Sequence, residues 1–204
     1  MEMRWLALLA VAAAQPSAPE LEHFRLLKQL RATGFQCPGQ YFPPNTAEFS
    51  FDCRAWKAAR AHSEDMASKR YFGHVNPDGK NPCDRTGGVF CSENLAAGQA
   101  TAQAALDAFK GSASHCPNMM DPRLNRSGVG FARRVGTPFV NYWTQAMGTD
   151  ASLDSSCVGG AVTVSRADRS DHCAAYKGYA GTEWCGDAQG GWARTNCPKT
   201  CGLC

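Results

Sequence analysis

The chain has 204 residues, and its 21 Lys and Arg against 18 Asp and Glu give a formal net charge of +3. This length allows one domain of ordinary size and a small second one. The charge excess is too small and too scattered to predict a nucleic-acid partner. Eleven cysteines are too many for a reducing cytosol, so the composition favours a disulfide-bonded protein of an oxidising compartment.

The first residues have the features of a secretory signal peptide. A short start with a basic end, residues 1–4, precedes an apolar run over residues 5–14 that ends in small side chains. A membrane anchor needs about 20 apolar residues, roughly twice the length of this run. We therefore predict a signal peptide over residues 1–14 and a secreted, extracellular mature protein without a transmembrane segment.

Two helices are predicted in the next part of the chain. Residues 19–32 carry one apolar stripe, and we expect this helix to pack on the main domain because so short a helix is marginal alone. Binding of a membrane or a partner is the alternative for this stripe. In residues 55–70 the apolar side chains and His62 share one face, which predicts a hydrogen-bonded packing role for His62.

A turn signal follows the second helix. Residues 76–79 read Asn-Pro-Asp-Gly, which supplies the fixed φ of Pro and the permissive φ of Gly that a tight turn needs. His74 therefore lies on the exit loop of the helix, Glu93 follows on the next ordered segment, and His115 lies further along. These three side chains are candidates for one cavity, although their spacing alone does not show that they converge.

The remainder of the main domain predicts one more helix and a pair of strands. Thr101 as N-cap and Gly111 as the end bound the helix, and residues 128–134 and 139–147 have strand composition. Helices that precede and separate strands, without regular alternation, indicate an α+β layered domain. Residues 149–170 form a connector, and a short segment dense in cysteine follows.

The main domain resembles the CAP superfamily of cysteine-rich secretory, antigen 5 and pathogenesis-related proteins, in particular its SCP branch. The resemblance rests on AARAHSEDMA at 58–67, YFGH at 71–74, NPDGK at 76–80, SENLAAG at 92–98 and HCPNMM at 115–120. It implies a three-layer α-β-α sandwich. The last nine residues resemble a ShKT module, although Arg166 stands where the first of its six cysteines is expected.

These resemblances predict the domain organisation and much of the disulfide pattern. The predicted order is an N-terminal helical segment (15–36), a CAP domain (37–148), a linker (149–170) and a small disulfide-rich ShKT-like module (171–204). The resemblance implies bridges Cys37–Cys116, Cys173–Cys197 and Cys185–Cys201. Cys83 and Cys91 flank a short loop and are expected to pair, Cys157 is expected to reach Cys204, and Cys53 is left as the odd thiol.

The CAP resemblance also implies an open cavity lined by two histidines and two acidic residues that can hold a divalent metal. His74, His115 and Glu93 match three of these positions, whereas the second acid falls at or near Ser112. Two neutral imidazoles and one carboxylate would form an open zinc site. The alternative is a hydrogen-bonded polar network without metal.

Catalytic signals are weak. The sequence has no Gly-x-Ser-x-Gly elbow, no His-Glu-x-x-His helix and no phosphate loop. We therefore predict a non-enzymatic ligand-binding or interaction role, and the resemblance implies a sterol, another lipid or an extracellular protein as partner. A metal- or serine-dependent hydrolase is the alternative, because several serines lie near the histidines. The sequon at Asn125 is a candidate for glycosylation.

Overall fold

A computed structural model describes residues 15–158, which belong to one compact unit ending at residue 159. The predicted signal peptide, the ShKT-like module with its bridges, and most of the predicted linker lie outside the described residues. Over residues 15–158, no helix is both long enough and apolar enough to cross a membrane.

The described chain alternates helices with short and long strands. The helices are α1 (Ala18–Thr33), α2 (Cys53–Lys69), α3 (Pro82–Arg85), α4 (Ala102–Lys110) and α5 (His115–Met120), and a 3-10 turn covers Ser156–Val158. The strands are β1 (Phe35–Cys37), β2 (Gln40–Phe42), β3 (Ser50–Phe51), β4 (Ser92–Ala97), β5 (Arg126–Arg133) and β6 (Asn141–Gly148). The helix predicted over residues 55–70 and the paired central strands are confirmed within a few residues.

Strands β3, β5, β6 and β4 form one sheet in that order, with β5, β6 and β4 antiparallel and β3 parallel to β5. Side chains alternate between its faces. Trp143 and Met147 of β6 pack with α1, α4 and α5, whereas Tyr142 and Ala146 pack with α2. The sheet is therefore enclosed by helices on both faces, which confirms the predicted α-β-α sandwich.

Helix α2 lies directly on the backbone of β5. A Cβ atom added at Gly128 would lie 2.0 Å from the Trp56 nitrogen, and one at Gly130 would lie 2.1 Å from the Arg60 nitrogen. The helix presents the small side chains of Ala55 and Ala59 at this contact. Since neither partner can retreat, this contact fixes the height of α2 above the sheet and so places His62 and its neighbours.

Helix α1 packs on the domain, as predicted for residues 19–32. The Glu20 carboxylate is fully buried, accepts hydrogen bonds from the Arg60 guanidinium, and accepts the backbone N–H of Phe131 at 3.0 Å. At the other end of the helix, the buried Arg31 guanidinium donates to three backbone oxygens, those of Met119, Asp121 and Leu124. Polar anchors at both ends therefore hold the helix in register.

The described residues contain three disulfides. Cys37–Cys116 and Cys83–Cys91 are as predicted. The third joins Cys53 to Cys157, so the predictions of Cys53 as the odd thiol and of a Cys157–Cys204 bridge are wrong. The reason is the path of residues 150–158: the N–H of Cys53 donates to the Asp154 oxygen at 2.7 Å, which brings Cys157 against the start of α2.

Candidate functional site

The candidate site lies at β4, an edge strand of the sheet, and includes residues on both faces of the sheet. Glu93 is paired in register with Ala146, whose side chain packs against α2, so Glu93 lies on the α2 face. Its neighbour Asn94 lies on the opposite face and donates to the backbone oxygen of His115 at 3.1 Å. Glu93 and His115 therefore approach the edge from opposite sides.

The centre of the site is the Glu93 carboxylate, whose side chain is only 4% exposed. One oxygen lies 2.9 Å from Nδ1 of His74, and the other accepts a hydrogen bond from the Arg85 guanidinium. Because a carboxylate accepts, Nδ1 of His74 carries the proton, and Nε2 is left as an acceptor. The His74 side chain is 50% exposed, so a buried carboxylate fixes the tautomer of an exposed imidazole.

Arg85 joins the loop that carries His74 to the strand that carries Glu93. Besides Glu93, its guanidinium donates to the backbone oxygens of His74 at 2.6 Å and Lys80 at 2.9 Å. Arg85 is the last residue of α3, a single turn that Asn81 caps and Pro82 begins. The Asn-Pro start is favourable for a helix N-terminus, and it sets where Arg85 emerges.

His62 lies beneath this cluster and has the packing role predicted for it. Its Nε2 donates to the Gly73 oxygen at 3.0 Å and lies 4.0 Å from the nearer Glu93 oxygen. Burial is the main cause that lowers the pKa of His62, so the neutral ring is favoured. The Tyr71 hydroxyl donates to Asp65 at 2.6 Å, which ties the segment after α2 to the helix.

A polar network positions His115 at the start of α5. The Asn118 amide donates to Asn94 at 2.8 Å, and Asn94 in turn donates to the His115 backbone oxygen and to Gln145. Burial, followed by the electrostatic influence of His74, lowers the pKa of His115. The two imidazoles thus influence each other, although within residues 15–158 no hydrogen bond joins His115 to Glu93.

Residues 15–158 show no preassembled site for a divalent cation in this geometry. Among the described residues, no group of three or more His, Cys, Asp and Glu side chains could hold a metal ion. Both oxygens of Glu93 are engaged, one by the permanently positive Arg85. Zinc binding by His74, Glu93 and His115 stays a prediction, and in this geometry Glu93 orients His74 rather than facing an ion.

The serines near the histidines are not placed as nucleophiles. The Ser63 hydroxyl lies 3.0 Å from the Gly130 oxygen and 2.8 Å from the Thr144 hydroxyl, so both of its neighbours are buried protein groups, and Ser92 donates to Asn118. Ser112 and Ser114 hydrogen-bond to each other at 3.1 Å. In the part of the chain that the structure describes, no serine hydroxyl is bonded to either imidazole of the site.

Comparison with known proteins identifies the family. Residues 45–147 match the family described as CAP, the cysteine-rich secretory protein family. This chain belongs to the CAP family. Its CAP domain is 34% identical over 94 residues to the uncharacterized protein YkwD of Bacillus subtilis strain 168. The matched region covers 44% of this chain and 35% of that relative. The chain thus spans about a third of the length of this curated relative.

A solved structure supports the fold of the CAP domain. An extracellular protein containing a SCP domain from Bacillus anthracis strain Ames superposes with a TM-score of 0.51 at 23% identity. The superposition covers 65% of this chain and 40% of that chain. At this identity the likeness supports the three-layer architecture and leaves the site to be argued from its own residues.

Proposed function

We propose that this CAP protein acts outside the cell as a binding and interaction module through the polar site at the β4 edge. The three disulfides of residues 15–158 suit an oxidising compartment, and a structurally similar protein is described as extracellular. The observation that carries the proposal is Glu93, buried and held between Arg85 and His74. A site that is ordered before its ligand arrives loses less entropy on binding.

Binding is favoured over hydrolysis by the same contacts. Glu93 and His74 form the orienting half of a catalytic triad, but a triad also needs a nucleophile within hydrogen-bond reach of the free Nε2. The neighbouring serines are bonded elsewhere, as described above. An imidazole with a fixed acceptor nitrogen is suited to receive an N–H or O–H group of a ligand. A sterol, another lipid and an extracellular protein all remain partner predictions.

The decisive experiment compares binding and turnover on the oxidised mature chain. We expect extracellular proteins and lipids to be retained by the immobilised protein, with His74→Ala weakening retention about tenfold. The control is Tyr41→Ala, since Tyr41 is 59% exposed on β2 and touches none of the site residues named above. Turnover of ester or peptide substrates that His74→Ala abolishes would contradict the proposal and favour a hydrolase.

A further inference from the structure

The connection between β5 and β6 ends in a tip that is held by its own hydrogen bonds. The Arg134 N–H donates to the Val140 oxygen at 2.7 Å. The Thr137 hydroxyl donates to the Arg134 oxygen at 2.7 Å and accepts the Val140 N–H at 3.2 Å. Val140 has a φ of 65°, a conformation that a β-branched residue rarely adopts. Such a conformation persists only where the surrounding contacts hold it, so the tip has a defined shape.

Four of the seven exposed large apolar side chains in residues 15–158 lie on this tip and on the loop after α2, so they are clustered rather than scattered. Val135 is 72% exposed, and Phe139 contacts Phe72 of the loop with ring centroids 5.6 Å apart. Val75 follows on the same loop. A Cβ atom added at Gly136 would meet nothing within 4 Å, so the tip projects from the domain. An exposed apolar cluster of this kind indicates an interaction surface.

Three arginines border these four side chains, which we call the apolar tip. Arg70 donates to the Gly136 oxygen at 2.9 Å, which ties the end of α2 to the hairpin. Arg133 and Arg134 are exposed at the base of the hairpin, where both line a cavity of about 500 Å³ beside α2. Among residues 15–158, no carboxylate forms a salt bridge with Arg133 or Arg134, so both guanidinium groups are available to an anionic partner.

The carboxylates of this region leave the arginines in excess. Asp65 and Asp78 both pair with Lys69, at 2.9 and 3.2 Å. Glu64 lines the same cavity as the two hairpin arginines and is the one carboxylate of that cavity without a salt bridge to a described residue. Three arginines therefore stand against one uncommitted carboxylate, and the border of the apolar tip is positively charged.

We infer that this surface docks the protein on an anionic phospholipid membrane, with the apolar tip between the headgroups and the arginines on lipid phosphates. Guanidinium groups bind phosphate oxygens in pairs, and apolar side chains with cationic neighbours favour the boundary between headgroups and acyl chains. A protein partner would need a concave receptor for a projecting tip, whereas a bilayer accepts one without it. The inference goes beyond the proposed function, since it uses none of Glu93, Arg85 and His74.

Co-sedimentation of the full, oxidised mature chain with vesicles gives the first test. The probe is vesicles of phosphatidylcholine and phosphatidylserine in equal parts, and the comparison is phosphatidylcholine alone. We expect binding to the anionic vesicles to be about tenfold stronger and to weaken as salt is added. Arg134→Glu should weaken it about tenfold, whereas Lys28→Glu, the same charge change at an exposed position of α1, should change it about twofold or less.

The second test identifies the side chains that enter the bilayer. Val135→Trp places an indole on the tip, and we expect vesicles with brominated acyl chains to quench its fluorescence beyond the quenching of the unaltered chain. Tyr41→Trp is the matched control, because Tyr41 is also well exposed but lies on β2, and it should not be quenched. Val135→Asp should weaken vesicle binding about tenfold, whereas Tyr41→Asp should not. Chemical denaturation verifies that these exposed substitutions leave the fold intact.

Each outcome separates the membrane surface from the Glu93 site. Absence of vesicle binding, an unquenched Val135→Trp, or binding that Arg134→Glu and Val135→Asp leave unchanged would overturn the inference. Retention of soluble ligands that depends on His74 would still support the proposed function in that case. Self-association or capture of an acidic protein that Val135→Asp removes, without vesicle binding, would show that a protein covers the tip and would also overturn the inference. His74→Ala is expected to bind vesicles as the unaltered chain does.

Discussion

One edge of the sheet is closed by the Glu20–Arg60 pair of helices α1 and α2, whereas the other ends at β4 beside Arg85, Glu93 and His74. Both carboxylates are buried, and each is paired with an arginine. The bonds of Glu20 given above go to the Arg60 guanidinium of α2 and to the Phe131 N–H of β5, so they hold α1 in place. The Glu93 carboxylate instead holds the His74 imidazole, which is half exposed. Burial of a carboxylate therefore does not by itself indicate a functional site. The better indication is that a side chain bonded to the carboxylate is exposed to solvent, as His74 is.

The largest effect is expected at the closed edge. Glu20→Ala would leave the Arg60 guanidinium and the Phe131 N–H without their acceptor, so we expect the free energy of unfolding to fall by about 3 kcal/mol or more. Chemical denaturation measures this change. Glu22→Ala is the matched control on the same helix, because the Glu22–Arg25 pair is largely exposed and should contribute about 0.5 kcal/mol or less. Equal losses in both variants would contradict the anchoring role of Glu20.

The second effect is an acid sensitivity of the α1 layer. His23 is fully buried between Phe109 and Trp143, and burial lowers its pKa to about 4. Among the described residues, neither ring nitrogen has a hydrogen-bond partner. The folded-state pKa lies below the unfolded value of about 6.5, so the stability from neutral His23 is complete above pH 6.5. It is lost as the pH falls from 6.5 towards 4, by up to about 3 kcal/mol.

His23→Phe provides the comparison for that sensitivity. Because His62 and His115 also have lowered pKa values, both proteins should lose stability in acid, and the difference between their curves reports His23. We expect the difference to grow between pH 6.5 and 4 in thermal or chemical unfolding. A difference that stays constant over this range would show that His23 does not titrate with folding.

The third prediction concerns metal at the β4 edge. Arg85→Met removes the positive charge from Glu93 and frees one of its oxygens, so calorimetry should show zinc affinity rising about tenfold over that of the unaltered chain. Arg85→Met with His74→Ala should lose that gain. Tight zinc binding by the unaltered chain, abolished by His74→Ala or His115→Ala, would instead support the original metal prediction.

The smallest effect is expected at Asn125, near the start of β5. Its side-chain amide donates to the Asp150 oxygen at 3.2 Å and its side-chain oxygen accepts the Asp150 N–H at 3.1 Å. The following Ser127 is fully buried in β5. We expect chain secreted from a eukaryotic host to remain unglycosylated here, with no mobility change after enzymatic deglycosylation. A shift that Asn125→Gln removes would show that the sequon is used before folding.

The layers of the fold were predictable from sequence because periodicity and caps are local signals. Thr101 caps α4 and Gly111 ends it, as expected. The site was predictable only in part. His74 and Glu93 do meet, but alternation along β4 places Glu93 and His115 on opposite faces, which depends on strand order rather than on spacing.

The residues that sequence reasoning missed act through tertiary contacts. Arg85 carries no motif of its own, although the Asn81-Pro82 helix start predicts the turn that aims it at Glu93. Asn94 and Asn118 lie in two of the segments that carry the family resemblance, but their mutual hydrogen bond depends on how α5 packs on β4. Cys53 was misassigned for a similar reason, since its partner is 104 residues away.

The Cys53–Cys157 bridge has a consequence for the covalent stoichiometry of the chain. Six of the eleven cysteines are consumed by the three described bridges, and the five left over are Cys173, Cys185, Cys197, Cys201 and Cys204. Five sulfurs cannot be paired completely among themselves, so the unmatched thiol belongs to the last 32 residues rather than to the core of the CAP domain. Because Cys53 and Cys157 are bonded to each other, we expect any mixed disulfide, thiol adduct or interchain disulfide to form in the C-terminal segment.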